Sequence, residues 1–458
     1  MVFSKRIKYA IIKRILLGGI FVFKKRGGIH PLSRKQEEAV IWADKPIQIM
    51  PAPERVYIPL VQHLGSPAEP LVAKGQYVRL GELIAARHGQ ISANIHSSVS
   101  GKVVEIANYN NAAGKPVPTI VIDNDNVYER AEFSQNPSPS REEIIAAAEQ
   151  MGLAGMGGAA FPTHVKLATQ DKIDFLIING AECEPYLTAD NRLMIEHSLD
   201  ILLGARLSAM AVGAPRILIG IEANKPEAIK IMKEQAERFD EIAVHVLPKR
   251  YPMGAEKQLI YQLTRRQVPS GALPSKIGCV VQNVATAAAL YAAAVKGEPV
   301  TGRITTVAGS AIGDGYNLYI PLGTRICDVL NFLDIDSYKV AKIISGGPMM
   351  GTAAADINSP VIKGTSGLLL LNKKDAELPE ESACIRCGKC VQACPVGLVP
   401  AALDAFQRAG KLEECAAWHI KDCIECGSCT FVCPAKRYLM QSLRLGKAAV
   451  IRKEREAK

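Results

Sequence analysis

Cysteines are the residues of this chain whose spacing most clearly indicates a chemistry. The 458 residues contain 12 cysteines, and eight of those that follow residue 380 form two copies of Cys-x2-Cys-x2-Cys-x3-Cys-Pro, beginning at Cys384 and Cys423. Three thiolates spaced in this way can wrap a loop around one face of an iron–sulfur cubane. Structural zinc sites use pairs of Cys-x2-Cys knuckles, so the third and fourth cysteines favour iron–sulfur clusters over zinc.

The same run of cysteines binds [4Fe–4S] clusters in two-cluster ferredoxins, where the fourth cysteine of each run is a ligand of the other cluster. We therefore assign one cluster to Cys384, Cys387, Cys390 and Cys433, and the other to Cys423, Cys426, Cys429 and Cys394. The spacer between the runs has a helical period, which predicts a helix-rich domain over residues 380–436. Cys279, Cys327 and Cys415 are interpreted as small core residues.

A glycine-rich segment, residues 152–163, is the second candidate site. Gly155-x-Gly157-x-x-Ala160 formally matches the dinucleotide-binding fingerprint, but that fingerprint must follow a strand and open a helix. The order predicted here is helix, loop, helix, strand, which argues against an ordinary Rossmann site. Closely spaced glycines still expose backbone N–H groups at a helix N-terminus, an arrangement that suits phosphate. An asparagine and acids follow the next strand, residues 173–178, at a distance suited to a ribityl or ribose group.

The elements that must position these residues indicate a multidomain α/β protein. Residues 27–133 alternate short apolar runs with Gly and Pro and predict a β-rich domain of the barrel-sandwich or hammerhead kind. A capping box, Ser140-x-x-Glu143, opens an α/β domain over residues 140–301. Residues 302–372 predict strands around one helix, 325–333, as in a β-grasp domain, and residues 437–458 predict a basic tail.

The first 36 residues carry ten basic and no acidic side chains, whereas the rest of the chain is balanced. The longest uncharged apolar run, Ile15 to Phe23, is about half the ~18 residues that a membrane-spanning helix needs, so no span is predicted. Residues 1–26 are predicted to bind an anionic membrane surface; a basic leader without membrane contact is the alternative. The leader lacks interleaved aromatics and a cleavage site, so neither nucleic-acid binding nor export is expected.

Four segments resemble the flavin and nicotinamide elements of the NADH-binding flavoprotein subunit of respiratory complex I: residues 155–166, 179–185, 251–256 and 283–286. The order of the whole chain more closely resembles the C subunit of Rnf ion-translocating electron-transport complexes. That order comprises Gly-Gly-Ile-His-Pro at 27–31, the hammerhead, the glycine-rich segment, a β-grasp segment with residues 346–351, and the ferredoxin. The resemblance covers residues 27–434.

The resemblance implies a non-covalent FMN with NAD(H) stacked on its ring as substrate. Gly155, Gly157 and Gly158 would face the phosphate with Lys166 nearby, Asn179 and Glu182 would hold the flavin, and Asn283 would close the pocket. Phe161 would stack on the adenine, and Glu184 and Glu256 would bond to the dinucleotide. Two positions depart from the complex I pattern, because Met156 stands in place of an Arg and Ala181 in place of an Asp.

The implied activity is electron transfer between NAD(H), FMN and two [4Fe–4S] clusters, with no catalytic acid, base or nucleophile. The chain would be a peripheral subunit on the cytoplasmic side of the bacterial cell membrane. Its partners would be the membrane subunits of the complex, which couple ferredoxin:NAD+ oxidoreduction to Na+ or H+ movement, with ferredoxin as the other redox substrate. Two alternatives stay open at this point: a soluble flavin and iron–sulfur reductase, for example of a corrinoid, and a non-enzymatic electron wire or scaffold.

Overall fold

The computed structural model describes residues 27–31, 41–158 and 160–456, so the leader, with its predicted membrane contact, lies outside the described residues. In chain order the strands are β1 (Gln48–Ile49), β2 (Arg55–Pro59), β3 (Glu69–Pro70), β4 (Tyr77–Val78), β5 (Leu83–Ala86), β6 (Ile95–His96), β7 (Gly101–Asn110), β8 (Pro116–Asn124), β9 (Phe175–Gly180), β10 (Arg216–Glu222), β11 (Ile242–Leu247), β12 (Cys279–Asn283), β13 (Gly302–Ala308), β14 (Tyr316–Pro321), β15 (Lys342–Ser345), β16 (Thr352–Ala353) and β17 (Gly367–Leu371).

The helices, numbered in chain order, are α1 (Arg141–Gln150), α2 (Thr163–Leu167), α3 (Ala189–Glu196), α4 (Ser198–Val212), α5 (Pro226–Ala236), α6 (Glu256–Thr264), α7 (Val284–Tyr291), α8 (Ile326–Phe332), α9 (Lys373–Ala376), α10 (Lys389–Ala393), α11 (Pro400–Arg408), α12 (Leu412–Ala417), α13 (Ser428–Phe431) and α14 (Leu439–Glu456). No helix within the described ranges combines the length and the apolar character needed to cross a bilayer. The chain divides into two compact units.

The larger unit, residues 32–249 and 253–378, begins with two antiparallel sheets, ordered β2-β8-β7-β4 and β3-β5-β6. Alternate residues of both sheets enter one core that includes Val56, Ile58, Ile84 and Ile95. Residues 71–80, one of the alternating apolar runs from which strands are expected, do not form one continuous strand. Residues 69–70 and 77–78 are separate strands, because a turn at 73–76 with Gly75 at φ +89° interrupts the pairing.

A parallel sheet in the order β11-β10-β9-β12 forms the centre of the larger unit. Side chains alternate across it, as a strand dictates. Leu176 and Ile178 pack with α1, α4 and α7, whereas Ile177 packs on the opposite face with α6. Helix α1 starts at the predicted capping box: Glu143 N–H donates to Ser140 Oγ, and Ser140 N–H donates to the Glu143 carboxylate.

A mixed six-stranded sheet, β1-β14-β13-β17-β15-β16, completes the larger unit. Helix α8 packs on this sheet through Ile326, Val329 and Leu330. The predicted strands and helix of this region are therefore present, with bounds that differ by one or two residues. The assignment of the region as a β-grasp domain stays a prediction.

The smaller unit contains α10 to α14 together with residues 27–31 and 250–252. Its apolar core, formed mainly by Leu398, Leu403, Ile420 and Leu443, also holds Cys415, which is fully buried as predicted. The predicted spacer helices are observed as α11 and α12. Residues 27–31 are held by backbone bonds, in which Gly27 N–H donates to Gln392 O and Ile29 pairs with Tyr251.

Candidate flavin and iron–sulfur sites

The central parallel sheet has a topological switch point between β9 and β12. From β9 the chain continues to β10 and β11 on one side and then returns to place β12 on the other side. Ligands of open α/β sheets bind in the crevice at the carboxyl ends of the strands at such a point. Asn179 and Asn283 lie directly opposite each other in the β9–β12 register at this edge. Sequence reasoning assigns them separate roles, and the fold makes them neighbours.

Both asparagines fix the backbone around this edge. Asn179 Nδ2 donates to Gly254 O at 2.8 Å, and its Oδ1 accepts from Ala181 N–H at 3.0 Å. Asn283 caps α7 by accepting from Ala285 N–H at 2.9 Å. Its Nδ2 donates to Asp190 Oδ2 at 2.7 Å. These bonds hold the loops that border the crevice in one arrangement.

The glycine-rich segment lies beside the same edge. Gly155 N–H donates to Phe161 O at 2.8 Å, which closes the segment into a loop. Met156 N–H donates to Thr286 Oγ1 in α7 at 2.9 Å. A Cβ built on Gly157 would lie 3.3 Å from Asn283 Cβ, whereas one built on Gly158, at φ +100°, would meet no described atom within 4 Å. A side chain at Gly157 would require Asn283 to shift by a few tenths of an ångström, and the positive φ of Gly158 favours glycine there.

The helix that accompanies this loop differs from the prediction. The sequence predicts that the glycines expose N–H groups at the N-terminus of the helix that follows them. That helix, α2, has only five residues and starts after Pro162. The loop instead contacts the N-terminal turn of α7, more than 100 residues further along the chain. Long-range packing of this kind leaves no local signal in the sequence.

A buried group of charges lies behind the crevice. Glu182 accepts N–H bonds from Asp190 and Asn191 at the start of α3, at 2.9 and 3.2 Å. The Lys225 ammonium lies 3.3 Å from the same carboxylate, with 9% and 6% of the two side chains exposed. Burial raises the pKa of Glu182 and of Asp190 above their usual values. Arg303 faces both carboxylates electrostatically and donates to Met156 O at 2.7 Å.

Sequence reasoning found Glu182 in this group but missed Asp190, Lys225 and Arg303. One signal for Arg303 was available, because it interrupts an otherwise apolar and threonine-rich strand, 302–308. A charged residue inside a buried strand requires compensating partners. The partners themselves come from α3 and from the loop before α5, and nothing in their spacing links them to the glycine-rich segment.

Lys166 and Glu256 are predicted to contact different ligands, yet they form an ion pair with 3.5 Å between Nζ and Oε1. Lys166 Nζ also donates to Val281 O at 2.8 Å. Glu184 accepts N–H bonds from Met349 and Met350, at 3.0 and 2.9 Å, and so anchors the loop 346–351. Phe161 is half-buried. The predicted dinucleotide contacts of these residues stay predictions.

Met156 and Ala181, which depart from the complex I pattern, are both buried, at 5% and 7% exposure. Each side chain belongs to an apolar core, on opposite faces of the parallel sheet. An Arg or Asp side chain at either position would require a polar environment that these cores do not offer. In this chain both positions therefore lie in apolar packing.

Seven of the eight motif cysteines fall into two groups that each combine both runs. Burial raises the pKa of Cys390, with nearby Cys433 and Cys384 acting in the same direction, and burial with nearby Cys426, Cys423 and Cys394 raises that of Cys429. Burial raises the pKa of the Cys423 thiol to about 11. A cubane binds one cysteine per iron, so its ligands need not meet at one point. In the described part of the chain, no three His, Cys, Asp or Glu side chains converge on a single metal position.

The two cysteine runs repeat the same backbone conformation. Arg386 and Glu425, the residues before the second cysteine of each run, have φ of +56° and +55°. Gly388 and Gly427, which follow it, have φ of +74° and +75°. The runs differ in the exposure of their first two cysteines: Cys384 and Cys387 are exposed, whereas Cys423 is half-buried and Cys426 is buried. Tyr251 contacts the second run, because its Oη donates to Cys426 O at 2.7 Å.

Three family models match the chain. Residues 23–127 match the RnfC barrel sandwich hybrid domain, residues 148–292 match the Nuo51 FMN-binding domain, and residues 383–437 match the 4Fe-4S dicluster domain. The chain is 45% identical, over 92% of its length and 92% of the relative's, to the C subunit of the proton-translocating ferredoxin:NAD(+) oxidoreductase complex of Clostridium ljungdahlii. It belongs to the family of C subunits of ion-translocating oxidoreductase complexes.

Two further members of this family are similar over most of the chain. The C subunit of the Na(+)-translocating ferredoxin:NAD(+) oxidoreductase complex of Acetobacterium woodii is 41% identical over 94% of this chain and 98% of the relative. The C subunit of the ion-translocating oxidoreductase complex of Rhodobacter capsulatus is 40% identical over 86% of this chain and 77% of the relative. The relatives thus come from both proton-translocating and sodium-translocating complexes.

Family membership confirms the resemblance to Rnf C subunits that the motifs and their order indicate. The chain carries an N-terminal barrel sandwich, a central FMN-binding domain and a C-terminal 4Fe-4S dicluster domain. The predicted cofactors, FMN and [4Fe–4S] clusters, are therefore confirmed at the level of these domains. The two alternatives, a corrinoid reductase and a wire or scaffold without a flavin, are not favoured. Which side chains bind each cofactor stays a prediction.

Proposed function

We propose that this chain passes electrons between NAD(H), FMN and two [4Fe–4S] clusters as a subunit of a membrane ferredoxin:NAD+ oxidoreductase that moves Na+ or H+. The observation that carries the proposal is that one chain combines an FMN-binding domain with a 4Fe-4S dicluster domain that contains eight cysteines in two runs. A flavin accepts a hydride and releases single electrons, whereas each cluster accepts one electron. The protein contributes position and the tuning of redox potentials.

The proposed FMN site is the crevice at the carboxyl ends of β9 and β12. Gly155, Gly157 and Gly158 would supply backbone N–H groups to the phosphate, and Lys166 would add a positive charge nearby. Support comes from the close contact of Gly157 with Asn283 and the open space around Gly158. Asn179, Glu182 and Asn283 would fix the loops that border the flavin, since their side chains already bond to backbone groups at this edge.

NAD(H) would bind over the flavin, with Phe161 against the adenine and with Glu184 and Glu256 as hydrogen-bond acceptors for the ribose hydroxyls. Glu256 opens α6 beside Lys166, so it lies close to a residue of the proposed phosphate site. Glu184 would keep the loop 346–351 in place at the same time, because two N–H groups of that loop bond to its carboxylate.

One cluster would be bound by Cys384, Cys387, Cys390 and Cys433, and the other by Cys423, Cys426, Cys429 and Cys394. The electrostatic contacts of Cys390 with Cys433 and of Cys429 with Cys394 support this exchange of the fourth ligand. Thiolates are the ligands that iron–sulfur clusters require. Because each run contributes to both clusters, the two clusters would lie close together.

The membrane subunits of the complex are the proposed partners, and ferredoxin is the proposed second redox substrate. The chain would act on the cytoplasmic side of the membrane, with residues 1–26 against anionic lipid. The composition of that segment supports this role, since it contains eight basic residues and no acid. Deletion of residues 1–26 should release the chain from anionic vesicles, and unchanged binding would contradict the lipid contact.

Anaerobic titration with NADH tests the proposed function. The purified chain should contain FMN and two clusters, and NADH should bleach the flavin absorbance and produce a reduced-cluster EPR signal. Asn283→Ala removes both the cap of α7 and the bond to Asp190, so it should weaken FMN binding by at least about tenfold. Asn136→Ala, in the linker before α1, is a matched control that should leave FMN affinity unchanged. Iron without flavin, together with no response to NADH, would contradict the proposal.

A further inference from the structure

The first cysteine run lies on the surface of the smaller unit. All eight residues from 380 to 387 are exposed, and this stretch includes Cys384 and Cys387. Ile385, between these two cysteines, is 66% exposed. Residues 423–426, which are equivalent to 384–387, are half-buried or buried, whereas the third cysteine is buried in both runs. A cluster bound by the first run would therefore present an edge to solvent, whereas a cluster bound by the second would not.

Three exposed cations lie in or beside this run, which follows two acids, Glu380 and Glu381. Arg386 and Lys389 are exposed and follow Ser382 with no acid between them. Lys436, also exposed, is brought beside the run because Ser382 N–H donates to Ala435 O at 2.9 Å. We call these three side chains and Ile385 the basic port. Within the described ranges, none of the three cationic side chains has a hydrogen-bond or ion-pair partner. Glu381, which precedes the port, is paired with Arg408 at 2.8 Å.

The second run has no such charges at the equivalent positions. Glu425 stands in place of Arg386 and is paired with Arg444 and Lys447 of α14. Ser428 replaces Lys389 and is buried, and Gly397 occupies the position equivalent to Lys436. Gly397 and Lys436 both have positive φ, of +73° and +53°. A lysine at such a position costs backbone energy that a glycine avoids, so the charge is kept at a cost.

We propose that the basic port docks an acidic electron-carrier protein and is where single electrons enter or leave the cluster bound by Cys384, Cys387, Cys390 and Cys433. The inference rests on the proposed function, because it needs that cluster to be present. Complementary charge raises the rate of encounter and orients the partner, and the apolar Ile385 supplies contact at the centre. One electron passes from the reduced carrier to the oxidised cluster, and no bond or proton is exchanged.

Stopped-flow reduction of the oxidised, cluster-loaded chain tests the docking surface. One donor is a reduced acidic ferredoxin, and the other is the methyl viologen cation radical, which carries the opposite charge. The test variant combines Arg386→Glu, Lys389→Glu and Lys436→Glu, and a second, milder variant places Gln at the same positions. Lys411→Glu, an exposed lysine before α12 in the same unit, is the matched control. Iron content and EPR signals are measured for every variant.

At low salt the triple Glu variant should accept electrons from ferredoxin at least about tenfold more slowly, while the methyl viologen rate is unchanged or higher. The difference should largely vanish near 1 M salt, where charges are screened beyond about 3 Å. The Gln variant should show a smaller loss, and Lys411→Glu should show none. Equal ferredoxin rates for all variants, with normal viologen reduction, would overturn the docking inference alone. Failure of viologen to reduce the unsubstituted chain would instead contradict the proposed function.

Discussion

The two cysteine runs share their spacing and backbone conformation but not their surroundings. Gly388 and Gly427 occupy the same left-handed position, and Arg386 and Glu425 occupy another. The first two cysteines of the first run are exposed and have cations beside them, whereas their counterparts in the second run are less exposed and bond to Tyr251 and to Lys447 of α14. The comparison shows that spacing specifies what a run can bind, while the residues that pack around it decide whether the bound group is accessible.

Replacement of a buried cysteine that would bind iron should have the largest effect on iron content and melting temperature. Cys426→Ser should remove the second cluster, reduce the iron content by about half and lower the melting temperature, because the emptied loop lies in the interior. Cys387→Ser should also remove about half of the iron, but the melting temperature should fall less because its loop is exposed. Iron analysis and thermal unfolding measure both effects. An equal fall in melting temperature for the two variants would contradict the expected difference between the two cysteine runs.

Arg386 and Glu425 occupy the same left-handed position in the two runs. Removal of their charges should have an intermediate effect on the free energy of unfolding. Burial alone would raise the pKa of Glu425, but hydrogen bonds from Lys447 and Arg444 outweigh it and lower that pKa. Glu425→Gln loses both ion pairs and should cost about 1–2 kcal/mol of unfolding free energy. Arg386→Gln, the matched change in the first run, should cost less than about 0.5 kcal/mol.

The contribution of Glu425 should depend on pH in a defined direction. Its pKa in the folded chain lies below the ordinary value of 4.5, so its stabilisation is present above that value and is lost as the pH falls through the folded pKa. Urea unfolding of the unsubstituted chain and of Glu425→Gln should therefore differ at pH 7 and converge in acid. A difference that grows as the pH falls would contradict the assignment.

Loss of the Tyr251 hydroxyl, which bonds to the second cysteine run, should have the smallest of the three effects on stability. Tyr251→Phe removes the bond to Cys426 O and should cost about 0.5–1.5 kcal/mol. Because the lost donor bonds to the backbone of a proposed ligand, the EPR signal of the second cluster should shift while that of the first is unchanged. Tyr438→Phe, which removes a surface bond to Pro379 O, serves as the control. A shift of both signals would show that Tyr251 acts on the whole unit.

Features that depend on local sequence were predictable. The capping box at Ser140 and the helices of the spacer follow from short patterns, and the structure has them in place. The assignment of the cysteines to two clusters, which rests on their spacing, stays a prediction. Residues 71–80 do not form one continuous strand because a turn around Gly75 overrides an apolar pattern.

Features that depend on distant packing were not predictable. The pairing of Asn179 with Asn283 arises from the return of the chain to the other side of β9. The contact of Met156 with Thr286, and the buried charges of Asp190, Lys225 and Arg303, arise from the same topology. The resemblance to known flavoproteins pointed to segments that lie within the matched FMN-binding domain, yet the bonds that position them depend on residues it did not include.

The central claim is that both runs contribute to each of two clusters, and EPR of matched single variants tests it most directly. Replacement of a cluster's fourth ligand should change the signal of the cluster held by the other run. Cys394→Ser should therefore alter the same signal as Cys423→Ser, and Cys433→Ser the same signal as Cys384→Ser. The opposite pairing, in which Cys394→Ser matches Cys384→Ser, would contradict the account.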